Sequence, residues 1–341
     1  MQRLEGYMAG ANLGHWISQY GNKDHTHYDT YITAPDFQRM ASWGLDHVRV
    51  PVDYFIFEDD DNPGVYREDG LRYIDFAVNE CRKNGLNMVL DLHHAPGYFF
   101  GDGAKNDLLT NPAAQARYLA IWRFFSQRYA AEGDNLAFEL LNELVWENSD
   151  PWNDLWQRAV AVIHAVSPKR RVIVGGNMWN SVNELKNLYI TDDPCVIYTF
   201  HDYLPMFFTH QGAPWIDGLR DIESPVHYPF NTAEYADFFR AHEYADGLGP
   251  DMLVDSAYVR RCLQPAFDFI EANGRPLYCG EYGVFEKALI PDAVQWLNDM
   301  ADALLEHGIG RAVWSYRGFA RVTDENNQVV DEAIIRAISR H

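Results

Sequence analysis

The sequence predicts an α/β protein, a closed (β/α)8 (TIM) barrel with an insertion after its sixth strand. Short apolar runs alternate with longer amphipathic segments, eight such runs occur, and no G-x-G-x-x-G motif follows the first of them. Alternating strands and helices are typical of a parallel sheet, and eight units favour a closed barrel over an open, doubly wound sheet. The missing glycine motif disfavours a dinucleotide-binding fold. We therefore expect one domain, 1–341, which is an ordinary length for such a barrel.

The individual elements follow from apolar periodicity and from the residues that start and stop helices. The predicted strands are residues 7–13, 47–52, 87–94, 136–143, 171–177, 195–203, 276–283 and 311–316. The predicted helices are residues 35–43, 69–83, 112–131, 152–166, 257–272, 292–307 and 331–339. Gly44 and Gly85 are stop signals for the first two helices. Residues 15–33 are polar, aromatic and His-rich, and are expected to form a long loop.

One interval, between the sixth and seventh predicted strands, is much longer than the others. The excess, residues 204–255, is rich in aromatic residues, prolines and charge. We expect it to be a subdomain inserted over the top of the barrel. Because it starts beside the sixth strand, it should form one wall of a cleft there, with Trp215 and Phe208 as candidates for stacking on a ligand. The alternative is a lid whose aromatic residues only pack.

Composition disfavours several classes of partner. The formal net charge of −21 at pH 7 disfavours nucleic acid, anionic membranes and polyanionic substrates, and is compatible with a neutral glycan. Aromatic residues make up 14% of the chain, and several of the 10 Trp and 20 Tyr fall in polar loops, where a surface that stacks on sugar rings needs them. We therefore expect a neutral ligand and no nucleic-acid or membrane partner.

The cysteines and the N-terminus bear on the compartment. The four cysteines (Cys81, Cys195, Cys262 and Cys279) show no C-x-x-C spacing. We expect free thiols, with Cys195 and Cys279 buried in apolar runs. No apolar segment approaches the length that crosses a membrane, and the N-terminus lacks the apolar region of a signal peptide. We expect a cytoplasmic protein as the chain stands, or a secreted mature form whose signal peptide has been removed.

Polar and aromatic residues recur where the predicted strands end, which is where barrels of this kind build their active sites. They are Asn12, His15, Arg49, His93, His94, Asn142, Glu143, Asn177, His201, Tyr203, Glu281 and Trp314. Any one of them has a structural explanation, such as a core histidine or a buried ion-pair partner. That explanation does not account for their recurrence at the same end of nearly every strand.

Two carboxylates stand out in this set. Glu143 ends the apolar run that begins at Leu136, and Glu281 ends the run that begins at Pro276. A carboxylate at the end of a buried strand is costly to desolvate unless it has a partner or a chemical role. Glu143 could instead cap the helix that follows near Pro151. Two carboxylates at the ends of two buried strands are what glycoside hydrolysis requires.

Strand parity constrains the site. His201 and Tyr203 can face the same side, whereas Asn142 and Glu143 can share a site only if the strand ends or bulges there. His93 and His94 point to opposite faces, and no H-x-H follows the first strand, which disfavours a metal-dependent hydrolase. We expect no metal and no cofactor.

Six motifs in order resemble glycoside hydrolase family 5, the cellulase family. They are Val-Arg-Val-Pro (48–51), Asp-Leu-His-His-Ala-Pro-Gly (91–97), Phe-Glu-Leu-Leu-Asn-Glu (138–143), His-Asp-Tyr (201–203), Cys-Gly-Glu-Tyr-Gly (279–283) and Ala-Val-Trp (312–314). Residues 12–20 and 208–212 further resemble single-domain endoglucanases of the clostridial cellulase C type. The resemblance implies a retaining hydrolase in which Glu281 is the nucleophile and Glu143 the acid/base.

The same resemblance suggests roles for the remaining site residues. Arg49 and the Tyr203 hydroxyl would stabilise the charge of Glu281, and Asn142 would bind the 2-hydroxyl of the sugar that is cleaved. The other three residues would line the same subsite, with Trp314 as a platform beneath the ring and His93 and His201 at its sides.

Three readings of the function remain open from the sequence. The first is an endo-acting β-1,4-glucanase, expected to be a monomer. The second is a β-mannanase, an exo-β-glucanase or an oligosaccharide-trimming β-glycosidase with the same chemistry. The third is a glycan-binding barrel without activity, which the presence of both glutamates disfavours.

Overall fold

The computed structural model describes residues 3–19, 24–99, 106–222, 225–242, 245–319 and 322–341. Ten strands lie in this part of the chain. They are β1 (Ala9–Asn12), β2 (His47–Asp53), β3 (Asn87–His94), β4 (Leu136–Glu139), β5 (Arg171–Gly175), β6 (Val196–His201), β7 (Phe230–Asn231), β8 (Leu253–Val254), β9 (Leu277–Tyr282) and β10 (Gly310–Val313).

Eight of these strands close into a parallel barrel. Its order is β1-β10-β9-β6-β5-β4-β3-β2, with β2 pairing back to β1. Strand β6 pairs directly with β9, because β7 and β8 form a separate antiparallel ribbon. The predicted (β/α)8 barrel is confirmed.

Helices separate most of the strands. They are α1 (His25–Tyr31), α2 (Ala34–Ser42), α3 (Glu68–Asn84), α4 (Pro112–Arg128), α5 (Asp150–His164), α6 (Asn177–Asn180), α7 (Met206–Thr209), α8 (Ala236–Ala241), α9 (Ser256–Asn273), α10 (Ile290–Glu306) and α11 (Glu332–Ile338). Helix α3 shows how the sequence specifies them. Leu71, Ile74, Val78 and Cys81 recur at intervals of three and four and are buried, and Gly85 ends the helix at φ 69°.

The barrel interior is apolar at its base and ionic above it. Val89 and Ala137, on neighbouring strands, belong to a buried apolar cluster. Two residues further along the same strands, Asp91 and Glu139 are fully buried carboxylates. Because side chains alternate along a strand, these acids face the same side as the apolar residues beneath them. The fold thus places buried charge just below the carboxyl ends of the strands.

The segment predicted as a loop at residues 15–33 contains a helix. Residues 20–23 lie outside the described residues, and α1 begins at His25. Asp24 caps α1 by accepting a hydrogen bond from the Thr26 N–H. The indole nitrogen of Trp16 donates to the Tyr28 carbonyl at 2.8 Å, and Tyr28 is buried. The prediction was wrong for this stretch because local polarity concealed a helix held by tertiary contacts.

Between β6 and α9 the chain forms α7, the β7–β8 ribbon and α8; residues 223–224 and 243–244 of this predicted insertion lie outside the described residues. Most of its large side chains pack rather than face solvent. Phe208 is fully buried against Tyr228, at a centroid separation of 5.2 Å, and Phe207 packs on Phe230. Phe208 therefore cannot stack on a ligand, and its proposed role as a stacking residue was wrong. Trp215 is 58% exposed and therefore remains a candidate for stacking on a ligand.

The four cysteines are free thiols. Cys81 and Cys279 are buried, but Cys195 and Cys262 are partly exposed. The expectation that Cys195 is buried was wrong because it precedes β6 instead of lying within it. None of the helices in the described part of the chain combines the length and apolar character needed to span a bilayer.

Candidate active site

Glu143 reaches the barrel mouth because its strand ends early. Strand β4 stops at Glu139, and the chain then turns, with Glu143 itself at φ 44°. The Tyr98 hydroxyl donates to the Glu143 carbonyl at 2.7 Å and accepts from the Val145 N–H at 2.8 Å. This turn removes the parity conflict with Asn142, because neither residue belongs to the strand.

Glu281 lies on β9 and receives a hydrogen bond on each carboxylate oxygen. Arg49 Nη1 donates to Oε1, and the Tyr203 hydroxyl donates to Oε2, both at 2.8 Å. Burial raises the pKa of Tyr203 well above its usual value, and Glu281 adds to the rise, so the hydroxyl keeps its proton and remains a donor. Both contacts favour the ionised form of Glu281.

The guanidinium of Arg49 organises the centre of the site. Its Nε and Nη2 donate to the two oxygens of Glu139, at 2.7 and 2.9 Å. Nη2 also donates to Asn142 Oδ1 at 2.9 Å, and Nη1 donates to Asn12 Oδ1 at 2.9 Å. Together with the bond to Glu281 these contacts use all five donors of the side chain. Arg49 is fully buried, so its rotation is fixed.

His201 lies between the two candidate catalytic carboxylates. Its Nδ1 is 2.9 Å from Glu143 Oε1 and 3.6 Å from Glu281 Oε2. One oxygen of each glutamate and this nitrogen all lie within 4.8 Å of one another. Burial lowers the pKa of His201 to about 4, so the imidazole is neutral at pH 7.

The two glutamates have raised pKa values. Burial raises the pKa of Glu143 to about 8, and nearby Asp91 and Glu139 add to the rise while Arg49 opposes it. Burial also raises the pKa of Glu281 to about 7, against the opposing effects of His201 and Arg49. As the pH rises, Glu281 therefore loses its proton before Glu143 does. This order suits a proton donor, Glu143, beside an ionised partner, Glu281.

His93 connects the two remaining predicted site residues, Asn142 and Trp314. His93 Nδ1 lies 2.8 Å from Asp91 Oδ2, and its Nε2 lies 3.5 Å from Asn142 Nδ2. The His93 ring is parallel to Trp314, with an interplanar angle of 6° and a centroid separation of 5.7 Å. Burial holds the pKa of His93 well below its usual value. Because the oxygen of Asn142 accepts from Arg49, its Nδ2 is left facing His93.

The structure brings all eight predicted site residues into one continuous network. They are Arg49, His93, Asn142, Glu143, His201, Tyr203, Glu281 and Trp314. Of the other four candidates, Asn12 accepts a hydrogen bond from Arg49, and the rings of His15 and His94 pack edge-on against Trp314 and His93, at centroid separations of 6.2 and 5.6 Å. His94 Nδ1 also lies 2.6 Å from Asp53. Asn177 instead bonds the backbone of Trp146 through both ends of its amide.

Sequence reasoning missed Glu139, Asp91 and Tyr98. Glu139 and Asp91 are fully buried, and Asp91 Oδ2 lies 3.0 Å from Arg49 Nη2. The signal that singled out Glu143, a carboxylate in an apolar run, was equally present at Glu139 and Asp91. Tyr98 had no comparable signal, because its contact with the Glu143 backbone depends on loop geometry.

An aromatic cluster extends the site toward solvent. Trp215 contacts Phe285 and Phe319, at centroid separations of 5.0 and 5.9 Å. Phe319 and His210 both pack edge-on against Tyr203. The exposed Trp215 is thereby connected to the Tyr203 ring, whose hydroxyl bonds Glu281. This cluster, Trp215, Phe285, Phe319 and His210, is called the aromatic rim below.

Within the described residues, one group has donor atoms spaced for a metal ion, and it consists of Glu143, His201 and Glu281. The Arg49 guanidinium, 2.8 Å from Glu281, would repel a cation bound there. The arrangement fits acid–base and nucleophilic chemistry on an uncharged ligand: one carboxyl that holds a proton, one that is stabilised as an anion, and a neutral donor between them.

The chain is similar to characterised proteins over almost its entire length. It is 40% identical to Endoglucanase C of Acetivibrio thermocellus over 337 residues, which cover 98% of each protein. It is 32% identical to Cellodextrinase A of Ruminococcus flavefaciens over 313 residues, 91% of this chain and 86% of that protein.

Solved structures share the fold. The endoglucanase Cel5A of Thermotoga maritima superposes with a TM-score of 0.78 at 22% identity, covering 98% of this chain and 97% of that one. The family model for cellulase (glycosyl hydrolase family 5) matches residues 11–320, which contain the whole network from Arg49 to Trp314. The chain belongs to the cellulase family, glycosyl hydrolase family 5.

Proposed function

We propose that the protein is a retaining endo-β-1,4-glucanase that cleaves its substrate by double displacement. The observation that carries this proposal is the Glu143–His201–Glu281 arrangement, in which oxygens of the two carboxylates lie within 4.8 Å of one another. Retaining glycosidases need carboxyl groups about 5–5.5 Å apart, whereas inverting enzymes need room for a water molecule between them. The 40% identity to an endoglucanase over the full chain supports the substrate class.

In the first step Glu281 attacks the anomeric carbon and Glu143 protonates the departing oxygen. The bond to the leaving sugar breaks as the glycosyl ester with Glu281 forms, and the proton of Glu143 leaves with the released chain. Arg49 and Tyr203 hold the attacking carboxylate as an anion and fix its direction.

In the second step Glu143, now ionised, accepts a proton from water as that water attacks the ester. Glu281 carries no charge while it is esterified, so the pKa of Glu143 falls when the base is needed. The Nδ2 of Asn142 binds the 2-hydroxyl of the bound sugar, where hydrogen bonds strengthen in the transition state. Trp314 supports the ring from below. No metal or cofactor takes part in either step.

The whole chain acts as one catalytic domain and as a monomer on a neutral glucan. The net charge of −21 favours an uncharged substrate over a polyanion. The segment between β6 and α9 supplies one wall of the cleft through Trp215 and His210, its two members of the aromatic rim.

The test is the mode of cleavage on soluble polymers. Viscosity and reducing ends are followed together on hydroxyethylcellulose, an uncharged soluble cellulose derivative, with mannan and laminarin as alternative substrates and Glu281→Gln as the inactive control. An endo-β-1,4-glucanase lowers the viscosity of hydroxyethylcellulose early, while few reducing ends have formed. Faster action on mannan or laminarin would contradict the substrate assignment.

A second candidate, an enzyme that trims soluble cello-oligosaccharides, is favoured by the 32% identity to Cellodextrinase A. It uses the same residues and differs in where along the chain it cuts. Product profiles on defined oligosaccharides distinguish the two. Release of cellobiose from one end, with little loss of viscosity on the polymer, would favour the trimming enzyme.

A further inference from the structure

Three consecutive residues after β5 have left-handed backbone conformations. Met178, Trp179 and Asn180 have φ values of 48°, 58° and 53°. Residues other than glycine rarely adopt this conformation, and asparagine tolerates it better than most. A run of three is retained only where its surroundings hold it, and such strain concentrates at functional sites. This segment is called the left-handed turn.

The left-handed turn joins the two halves of the acid/base machinery. On one side, the Trp179 N–H donates to the carbonyl of Leu144, the residue after Glu143, at 3.1 Å. On the other side, Ser181 forms a parallel backbone bridge with His201 at the end of β6. The backbone of the turn therefore sets the position of its side chains relative to both Glu143 and His201.

The side chain of Asn180 fills the space behind the His201 ring. Asn180 is fully buried, and its Nδ2 lies 3.4 Å from His201 Nε2. Gly175 leaves room for this amide, because a Cβ there would lie 2.3–2.6 Å from its atoms. Gly280 does the same for the ring, since its Cβ would approach His201 Nε2 to 3.0 Å. Two glycines and a left-handed asparagine thus form a fitted pocket for one edge of the imidazole.

We propose that Asn180 is a positioning residue that fixes the tautomer of His201, with the proton on Nδ1. The amide turns its nitrogen to the ring, and its Oδ1 has no hydrogen-bond partner in the described part of the chain. Because an amide nitrogen can only donate, Nε2 is the acceptor and the ring proton resides on the opposite nitrogen. That nitrogen lies 2.9 Å from Glu143 Oε1. The inference rests on the proposed function, because it assigns Asn180 a role in the proton transfers of Glu143.

As a consequence, the Nδ1–H group of His201 can donate a hydrogen bond to Glu143 when Glu143 loses its proton. A hydrogen bond to the ionised form of a carboxyl group lowers its pKa, so Nδ1–H eases the change of Glu143 from acid to base. In the other tautomer a lone pair on Nδ1 would face the carboxylate, and the ionised state would lose this support. The charged and titratable groups facing this pair are Arg49, Asp91, His93, His94, Glu139, Tyr203 and Glu281. All of them remain in place when Asn180 is changed.

Asn180→Gly removes the amide without straining the backbone, because glycine adopts positive φ freely. Met178→Gly is the matched control, since it makes the same backbone change at an exposed position of the same turn. The direct readout is the ¹⁵N chemical shifts of the His201 ring nitrogens in the ¹⁵N-histidine-labelled protein, with His201→Gln identifying the signals. The second readout is the pH dependence of kcat/KM on a cello-oligosaccharide.

We expect the wild type and Met178→Gly to carry the ring proton on Nδ1. In Asn180→Gly the proton should shift toward Nε2, and kcat/KM should fall about tenfold, the equivalent of one buried hydrogen bond. The alkaline limb of the pH profile should move upward by about half to one unit, because the Glu143 carboxylate has lost a donor. In Asn180→Asp, whose carboxylate only accepts, the proton should reside on Nε2.

An unchanged tautomer in folded Asn180→Gly, or a ring proton on Nε2 in the wild type, would overturn the proposal. Loss of stability alone, with the pH profile of the wild type, would also overturn it, because that is the result for a packing residue. The ring shifts are measured without substrate. Failure of the proposed function would therefore appear as missing glucanase activity in the wild type and would leave the tautomer measurement unaffected.

Discussion

Replacement of Glu139 by glutamine removes the residue that aims the Arg49 guanidinium. Glu139 holds Arg49 through two parallel hydrogen bonds at 2.7 and 2.9 Å, and both side chains are fully buried. Glutamine keeps the volume and one oxygen but presents an NH2 group to one of the two guanidinium donors. That donor loses its carboxylate acceptor, and the guanidinium must rotate toward Asp91, whose Oδ2 lies 3.0 Å from Nη2, to avoid the clash.

The magnitude follows from the lost interaction. Loss of a charge-assisted bond in a buried ion pair costs about 3 kcal/mol of folding stability. In a protein of 341 residues Tm should fall by about 4 °C. Rotation of Arg49 also moves Nη1 away from Glu281, and misplacement of about 1 Å in a reacting group costs about 100-fold in kcat. Because Glu139 raises the pKa of Glu143, the alkaline limb of activity should move to lower pH.

The assay combines thermal unfolding with the pH dependence of kcat/KM on a cello-oligosaccharide. Glu58→Gln is the matched control, because Glu58 is equally buried and accepts from Arg117 Nε at 2.9 Å, away from the site. It should lose comparable stability and retain its activity and pH profile. If Glu139→Gln also loses stability alone, with kcat/KM within twofold of the wild type, Glu139 does not aim Arg49 at Glu281.

Three further predictions follow from the two carboxyl groups and the aromatic rim. The dependence of activity on pH should be bell-shaped. Activity is lost on the acid side as Glu281, whose pKa is raised to about 7, gains a proton. It is lost on the alkaline side as Glu143, whose pKa is raised to about 8, loses its proton. An optimum below pH 5, measured as kcat/KM, would contradict these environments. Glu143→Gln should reduce hydrolysis of unactivated cello-oligosaccharides at least about 100-fold more than that of activated aryl glycosides, since only the former need protonation; equal losses would refute the acid role. Trp215→Ala should lower kcat/KM about tenfold on long oligosaccharides and spare short aryl glycosides. Phe208 is a buried packing residue, so Phe208→Ala should instead lower Tm by several degrees without chain-length selectivity. An equal loss of kcat/KM on long and short substrates in Trp215→Ala would show that the aromatic rim only packs and does not bind the sugar chain.

Much of the barrel could be predicted from the sequence because it depends on local pattern. Apolar runs such as the one that begins at Leu136, and helices such as α3, carry periodicity that survives without knowledge of their neighbours. Helix α1 could not be found this way. Its polar sequence is held by Asp24 at its start and by the contact of Tyr28 with Trp16, which depend on the rest of the fold.

In the candidate site, too, the features set by local sequence pattern could be predicted and those set by tertiary contacts could not. The residues at the strand ends were found because parallel strands bring their carboxyl ends together. The exact end of β4 was not, since the positive φ of Glu143 depends on contacts of the following loop. Asn180 belongs to none of the motifs found in the sequence. Its proposed role depends on the left-handed turn, which places its side chain behind His201. The role of such a residue can be recognised only once the path of the folded backbone is known.

Chemical rescue by azide tests the central claim, that Glu281 is the nucleophile of a double displacement. Glu281→Ala leaves space for azide to attack the anomeric carbon directly, so an activated aryl cellobioside should yield the glycosyl azide of inverted configuration. With Glu143→Ala, azide should instead attack the glycosyl ester on Glu281 and give the azide of retained configuration. The configuration of each product is read by NMR. Inversion with Glu143→Ala and retention with Glu281→Ala would reverse the two roles and show that Glu281 is not the nucleophile.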